Sequence, residues 1–250
     1  MSAELDQLRG TIAQSCRILA RAGQMRGHLG HVSARLDAQR LLIRCRAEGE
    51  RGLAFTGPEQ VRLVTLDGEP AEPMDGHTAP KELPLHSAIY RARPDLHAVA
   101  HTHPAAALVC GLGGIQLRPI FGAHDIPALQ MALAGVPVYP RAVLVHSAAL
   151  GAEVVKALGA RDVCLLRGHG VVAAGSTVEA ATVRALTLEE LASVHLALAQ
   201  AGRSAPDLTP DELAELPDLG PGFNDRLTWQ VHAANDAACE HGARSSEWLR

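Results

Sequence analysis

Aromatic side chains are nearly missing from this chain. Phe, Trp and Tyr make up 3% of its 250 residues, too few for the stacking platforms that hold single-stranded nucleic acids. Positive charge does not compensate. Lys and Arg number 23 against 27 Asp and Glu, a net charge of −4, and both signs are scattered. That excludes a phosphate-tracking groove and a basic membrane-binding patch, so neither nucleic acid nor membrane is expected as a partner. No apolar run approaches the ~20 residues needed to cross a bilayer, and no secretory signal pattern is present. Cysteines number five, an odd count with no C-x-x-C pair, which suits reduced thiols in a cytoplasmic protein better than a disulfide framework. No Gly/Ser/Pro-rich linker and no internal repeat divides the chain.

What is present is a chain 47% hydrophobic with thirteen histidines. Apolar positions at Leu5, Leu8, Ile12, Cys16 and Leu19 recur at helical spacing and predict a helix over 4–22. "HVSARL" and "RLLIRC" read as two strands of a hairpin joined through "LDAQ". "GLAFTGPEQVRLVTLDGEP" reads as a short strand, a turn at Thr56-Gly57-Pro58 and a further strand ending in a "DG" turn. Pro84 at a first helical position opens a helix that Pro94 ends. "LHAVAHTH", residues 96–103, is a strand with His97, Val99, His101 and His103 on one face, and Pro104 should stop it. "PALQMALAG" and "SAALGAEVVKALG" are helices stopped by Gly135 and Gly159, with "VPVYP" a short strand between them. "DVCLLRGHGVVAAG" is a pair of apolar runs hinged on Gly168-His169-Gly170. Ser176 to Glu179, "STVE", reads as a capping box opening a long helix over about 177–201, closed by Gly202. Early strands, later helices and no regular βαβ rhythm give an α/β fold: a three-layer αβα sandwich with a central mixed, largely antiparallel sheet.

The histidines carry the chemistry. His101 and His103 are two apart on a strand, so their rings project in parallel from Cα atoms ~6–7 Å apart and can converge on one metal ion. A His-x-His pair is equally well two histidines on a half-exposed strand, since a metal site needs at least one more ligand. His169, between two glycines that permit a tight turn and close backbone approach, is a candidate third ligand; by itself it reads as a turn histidine. Glu82 stands at a helix start, where the dipole favours a carboxylate with or without a function. His86, one turn later, reads as structural, and so does Arg118 beside Pro119.

Taken together, "KELPLHSAIYRARPDLHAVAHTHP", "LLRGHGVV" and the preceding hairpin resemble the class II aldolase/adducin family over roughly residues 5–200. The resemblance implies the sandwich fold, a tetramer with sites between subunits, and one divalent metal ion per subunit. His101, His103 and His169 match the family's metal ligands, and Glu82 matches its catalytic acid/base. Adducin-like members lack this site, whereas this chain keeps all four residues. Sugar-phosphate members carry an Asn-containing turn and a Ser-Ser pair to hold phosphate. Here His31 and Ser33 stand in the turn "LGHVSAR", and Ala79-Pro80-Lys81 precedes Glu82, although Thr56-Gly57 survives. These departures, with Leu117-Arg118-Pro119, resemble a branch of decarboxylases acting on hydroxylated aromatic diacids, the 3,4-dihydroxyphthalate decarboxylases among them.

The resemblance therefore implies a metal-dependent carboxy-lyase acting on a small aromatic carboxylate. The substrate-holding candidates are His31, Ser33, Thr56 and Lys81, with cationic or switchable donors replacing the phosphate-holding residues. Zinc, manganese, iron and cobalt all suit three histidines. A class II aldolase cleaving a sugar phosphate or 2-keto acid, and a non-catalytic adducin-like module, stand as alternatives. Residues 1–202 are expected to form the catalytic domain. Residues 203–250, with Trp229 and His232 in an amphipathic segment, are expected to form an extension packed on the same or a neighbouring subunit.

Overall fold

The computed structural model describes residues 2–25, 27–220 and 222–247. Residues 248–250, the end of the anticipated extension, lie outside the described residues.

Helix α1, Ser2–Arg21, follows the 3–4 spacing anticipated for it. Ile12, Cys16 and Leu19 are fully buried, and Leu5 and Leu8 pack at the edge of the same core. Strands β1, His31–Arg35, and β2, Arg40–Arg44, form the hairpin, and β3, Val61–Thr65, pairs antiparallel with β2. Helix α2, Leu83–Ala92, leads into β4, Ala98–Thr102. After α3, Ala105–Gly113, come α4, Ile126–Ala134, β5, Val138–Tyr139, and α5, Ala148–Leu158. The β6 (Val163–Leu166) and β7 (Gly170–Gly175) hairpin follows, then the long α6, Val178–Gln200. The extension holds a short helix α7, Pro210–Ala214, and α8, Phe223–Glu247.

The seven strands form one sheet in the order β3-β2-β1-β4-β7-β6-β5. All neighbours are antiparallel except β5 and β6, so the sheet is mixed and largely antiparallel, as expected. Helices cover both faces. On one face Val32, Ala34, Leu42, Ala98, Ala100, Val171 and Ala173 meet α1, α3, α4 and α6. On the other, Leu41, Ile43, Val99, Cys164 and Val172 meet α2 and α5. Strands buried on both faces read as continuous apolar runs, which is why "VCLL" and "VVAA" show no alternation. Each fully buried Val or Leu contributes about 1.5–3 kcal/mol.

Four local expectations need correction. "LAF" is a 3-10 turn, Leu53–Phe55, entered from Gly52 at φ +90°; its first N–H reaches Gly27 O at 3.4 Å instead of joining a ladder. The cap of α6 is Thr177, whose side chain accepts from Ala180 N–H, so the Ser176/Glu179 box does not form. Pro84 takes the second position of α2, because Leu83 is its first helical residue. Helix α3 was not anticipated at all. Its sequence, AAALVCGLG, has no polar stripe: Ala106, Ala107 and Cys110 are buried, and the exposed Val109 and Leu112 are apolar too; its N-terminus is capped from afar. The Glu189 carboxylate accepts from Ala106 and Ala107 N–H, both at 2.9 Å.

The extension packs on its own chain, with α8 against α6 and α1. Asp236, 2% exposed, pairs with Arg17 at 2.8 Å and with Arg21. Arg118 tethers the start of the extension by an ion pair to Asp207 at 2.8 Å and a bond to Ala205 O at 3.2 Å. That tie is a structural use of Arg118.

Candidate metal centre

Three elements that are distant in sequence meet at one end of the central strands of the sheet. β4 delivers His101 as its fourth residue and His103 just beyond its last. The β6–β7 turn delivers His169, and the loop before α2 delivers Glu82. Two glycines bring the turn close. Gly168 adopts φ +66°, where other residues are strained. A Cβ on Gly170 would stand 2.2 Å from Thr102 O, so only glycine lets β7 start flush against the end of β4. His169 is thereby set beside His103, ring centroids 5.0 Å apart.

One potential ligand atom from each of Glu82, His101, His103 and His169 lies within 4.8 Å of all the others. His101 Nδ1 is 2.8 Å from Val171 O. A carbonyl only accepts, so Nδ1 carries the proton, and the Nε2 of the neutral ring is a lone pair. His103 Nε2 is 2.9 Å from that lone pair. Glu82 Oε2 is 3.3 Å from His101 Nε2, and Oε1 is 3.4 Å from His169 Nε2. Three imidazoles and a carboxylate converging in this way fit a divalent cation of nitrogen-and-oxygen preference.

Burial shapes the charge of these groups. Loss of solvent first, then the neighbouring His101 and His169, pushes His103 down to about 3, which favours the neutral, metal-binding ring. Burial by itself would raise Glu82, but the imidazoles of His101, His169 and His31 that face it outweigh burial and hold the group well below the usual carboxylate range. Glu82 is therefore ionised. Val145 N–H also fixes its Oε1, at 3.1 Å.

The other anticipated site residues divide. His31, 2% exposed, joins the cluster with Nε2 3.8 Å from Glu82 Oε2; burial, the largest cause, lowers it to about 4. Ser33 lies behind His31, hydrogen-bonded at 2.7 Å both to His86 Nδ1 and to the Tyr90 hydroxyl. Thr56 is buried on the opposite side of the sheet, its carbonyl accepting from Arg17 at 2.8 Å and its hydroxyl beside the Cys16 thiol. Lys81 is exposed next to Glu82, and His97 is exposed and takes no part. His86, fully buried, is 2.7 Å from His31 Nδ1. Tyr90 and the Val145 N–H were missed. For Tyr90 the signal was there: Glu82, His86 and Tyr90 at i, i+4 and i+8, a polar stripe running from the N-cap along α2. Two surface cavities, of about 340 Å³ between α4, α6 and α8 and about 540 Å³ between α2 and α5, are lined by none of the four clustered residues.

Comparisons with known proteins agree with this geometry. The model of the Class II Aldolase and Adducin N-terminal domain matches residues 10–196. A 3,4-dihydroxyphthalate decarboxylase from Terrabacter sp. (strain DBF63) is 47% identical over 90% of this chain and 95% of its own length. An L-fuculose phosphate aldolase from Escherichia coli (strain K12) is 28% identical over 84% of this chain and 93% of its own. Among solved structures, an aldolase II superfamily protein from Pseudomonas syringae superposes with a TM-score of 0.77 at 22% identity, covering 94% of this chain and 93% of that one.

Proposed function

This chain belongs to the class II aldolase and adducin N-terminal domain family, and from that premise we propose that it is a divalent-metal-dependent decarboxylase of a hydroxylated aromatic dicarboxylic acid such as 3,4-dihydroxyphthalate. The observation that carries the reading is the contrast in likeness: 47% identity with a 3,4-dihydroxyphthalate decarboxylase, against 28% with a sugar-phosphate aldolase over a similar span. The site supports it, because all four clustered residues are present and the phosphate-holding Ser-Ser pair is not. The intact cluster also argues against a non-catalytic module.

In this reading His101, His103 and His169 hold the cation through Nε2. When bound, the ion supplies Lewis-acid stabilisation of a phenolic oxygen during loss of CO2. Glu82 starts as a carboxylate, so it first accepts the phenolic proton. When the C–CO2 bond breaks, the electron pair stays on the ring carbon, and Glu82 returns the proton to that carbon. The phenolate recovers a proton from solvent, so one substrate carboxylate and one proton become CO2 and a C–H bond. His31 provides a hydrogen bond beside Glu82, and Lys81 a cation at the rim for a second carboxylate. Ser33 acts on the site through His86. Thr56 belongs to the α1 side of the sheet, its carbonyl held by Arg17.

Residues 1–202 form the catalytic domain of this proposal and 203–250 its extension. The enzyme works in the cytoplasm as a homo-oligomer, a tetramer by resemblance. Exposed Val109 and Leu112 on α3, just after the metal-holding strand, supply apolar surface for subunit contact. Mass measurement in solution tests the assembly; a monomer at working concentration contradicts it.

The function is tested by incubating the purified, metal-supplemented protein with 3,4-dihydroxyphthalate and, separately, L-fuculose 1-phosphate. Release of CO2 from the first without cleavage of the second is expected. The reverse outcome establishes the aldolase reading.

A further inference from the structure

Behind His31 the structure contains a line of polar side chains that metal binding and proton transfer do not require. Glu82, His86 and Tyr90 recur every four residues along α2, a rise of ~6 Å per step. His31 and Ser33 are two apart on β1, ~6.8 Å. Helix and strand run side by side, and the near-equal steps let the two sets interleave. The sequence of contacts is Tyr90 hydroxyl to Ser33 Oγ, 2.7 Å; Ser33 Oγ to His86 Nδ1, 2.7 Å; and His86 Nε2 to His31 Nδ1, 2.7 Å. His31 Nε2 then faces Glu82 Oε2 at 3.8 Å. Ser33 and His86 are fully buried, Tyr90 is 1% exposed and His31 2%, so water does not complete the bonding.

Protons can be placed along such a line in two ways with both rings neutral. In one, the Tyr90 hydroxyl donates to Ser33, Ser33 to His86 Nδ1, and His86 Nε2–H to His31 Nδ1, which leaves His31 with its proton on Nε2. Every donor within the line has an acceptor, and the His31 N–H at its end faces the Glu82 carboxylate at 3.8 Å, open to a ligand. In the other, every bond reverses. The Tyr90 hydroxyl, whose other hydrogen-bond partner is the backbone of Val99 acting as a donor, is left with no acceptor for its own proton among the described residues and becomes an orphaned buried donor. At the far end, the His31 Nε2 lone pair faces carboxylate lone pairs. Both ends of the reversed line are unfavourable, and a buried donor without a partner carries its full desolvation cost.

We propose that Tyr90, Ser33 and His86 form a proton-ordered chain that locks His31 in its Nε2–H tautomer. His31 then serves as a neutral, fixed hydrogen-bond donor for an anionic carboxylate oxygen of the substrate beside Glu82. The chain members are positioning residues acting through His31. That the oxygen belongs to a carboxylate rests on the decarboxylase reading; the tautomer does not.

Neutron diffraction from deuterium-exchanged crystals of the metal-loaded enzyme reads the proton order directly. Deuterium is expected on Nε2 of both His31 and His86 and on neither Nδ1. Deuterium on His31 Nδ1 overturns the proposal, whatever reaction the enzyme performs. The consequence for binding is read with 3,4-dihydroxybenzoate as probe in titration calorimetry. His86→Leu removes the donor to His31 and is expected to weaken the probe about 10- to 100-fold, the worth of a hydrogen bond to a charged group, at unchanged metal content. His86→Gln, whose amide N–H replaces the ring Nε2–H, is expected to restore affinity to within about 3-fold. Equal affinity in both variants and wild type contradicts the role given to the chain. If His86→Leu does not fold, His86→Gln and the neutron map still decide. A wild-type enzyme that ignores the probe while showing the expected proton order removes the carboxylate reading and leaves the locked tautomer standing.

Discussion

The two faces of β1 and β4 are equally buried and chemically opposite. Toward α1 and α6 the strands present Val32, Ala34, Ala98 and Ala100, at 0–3% exposure. Toward α2 they present His31, Ser33, Val99 and His101, at 0–2%. The first face gains from removing apolar surface from water. The second gives up that gain at three of its four positions and needs polar partners, which it finds in His86, Tyr90 and Val171 O, leaving the Nε2 atoms of His31 and His101 turned toward Glu82. Equal burial therefore says nothing about role. An organised set of buried imidazoles, costly to desolvate, marks the face on which the fold has given up stability for chemistry.

Substitutions on the two faces should fail in different ways, and the largest effect belongs to the polar face. Replacing His101, His103 or His169 with Ala is expected to abolish bound metal and turnover together while circular dichroism shows the secondary structure largely retained. Stoichiometric metal in all three variants by elemental analysis would place the site elsewhere. Glu82→Gln comes next. It is expected to keep the metal and lose turnover ~10²–10⁴-fold, the usual worth of general acid–base catalysis; near wild-type turnover removes Glu82 from the mechanism.

On the apolar face the expectation inverts. Leu42→Ala, at a fully buried position, should cost about 2–5 kcal/mol in urea denaturation while kcat of the folded fraction stays unchanged. A large loss of kcat with intact stability would show that the faces are not separable. Deleting residues 225–250 tests a third region. Metal should remain, while substrate binding or oligomeric mass falls; a truncated protein with neither changed shows that the site is complete within residues 1–224. The smallest effect is expected from Asp236→Asn. Its partners Arg17 and Arg21 keep 14% and 33% of their side chains exposed, so solvent offsets part of the cost of breaking a buried pair and the loss falls to about 1–3 kcal/mol. Faster limited proteolysis of α8 is the readout, and an unchanged digestion pattern would show that apolar contacts alone hold that helix.

These contrasts bear on how much the sequence disclosed. The period of two in "HVSAR" and of 3.6 from Leu5 to Leu19 are local, and both elements formed where expected. The clustered histidines were legible because each signal is short: a His-x-His before a proline, and a histidine between glycines at a hairpin turn. What stayed hidden depended on partners far along the chain. Helix α3 carries no polar stripe because its exposed Val109 and Leu112 are apolar like its buried residues, and its cap is a carboxylate 83 residues away. The 3-10 turn at Leu53 depends on Gly27 O. Ser33 and Thr56 both sit in motifs suited to substrate contact, yet the register of β1 against β2 and β4 turns Ser33 to a buried partner, and Thr56 settles against α1. No motif announces which buried residue a hydroxyl will meet.

The account stands most directly on the claim that the three histidine Nε2 atoms hold one divalent cation. Anomalous X-ray diffraction from crystals of the protein, collected on either side of the absorption edge of the metal found by elemental analysis, locates that cation without reference to activity. One peak per chain at ~2.0–2.2 Å from Nε2 of His101, His103 and His169 is the predicted result. An active protein whose anomalous peak lies away from these three rings, or which has none, would contradict it.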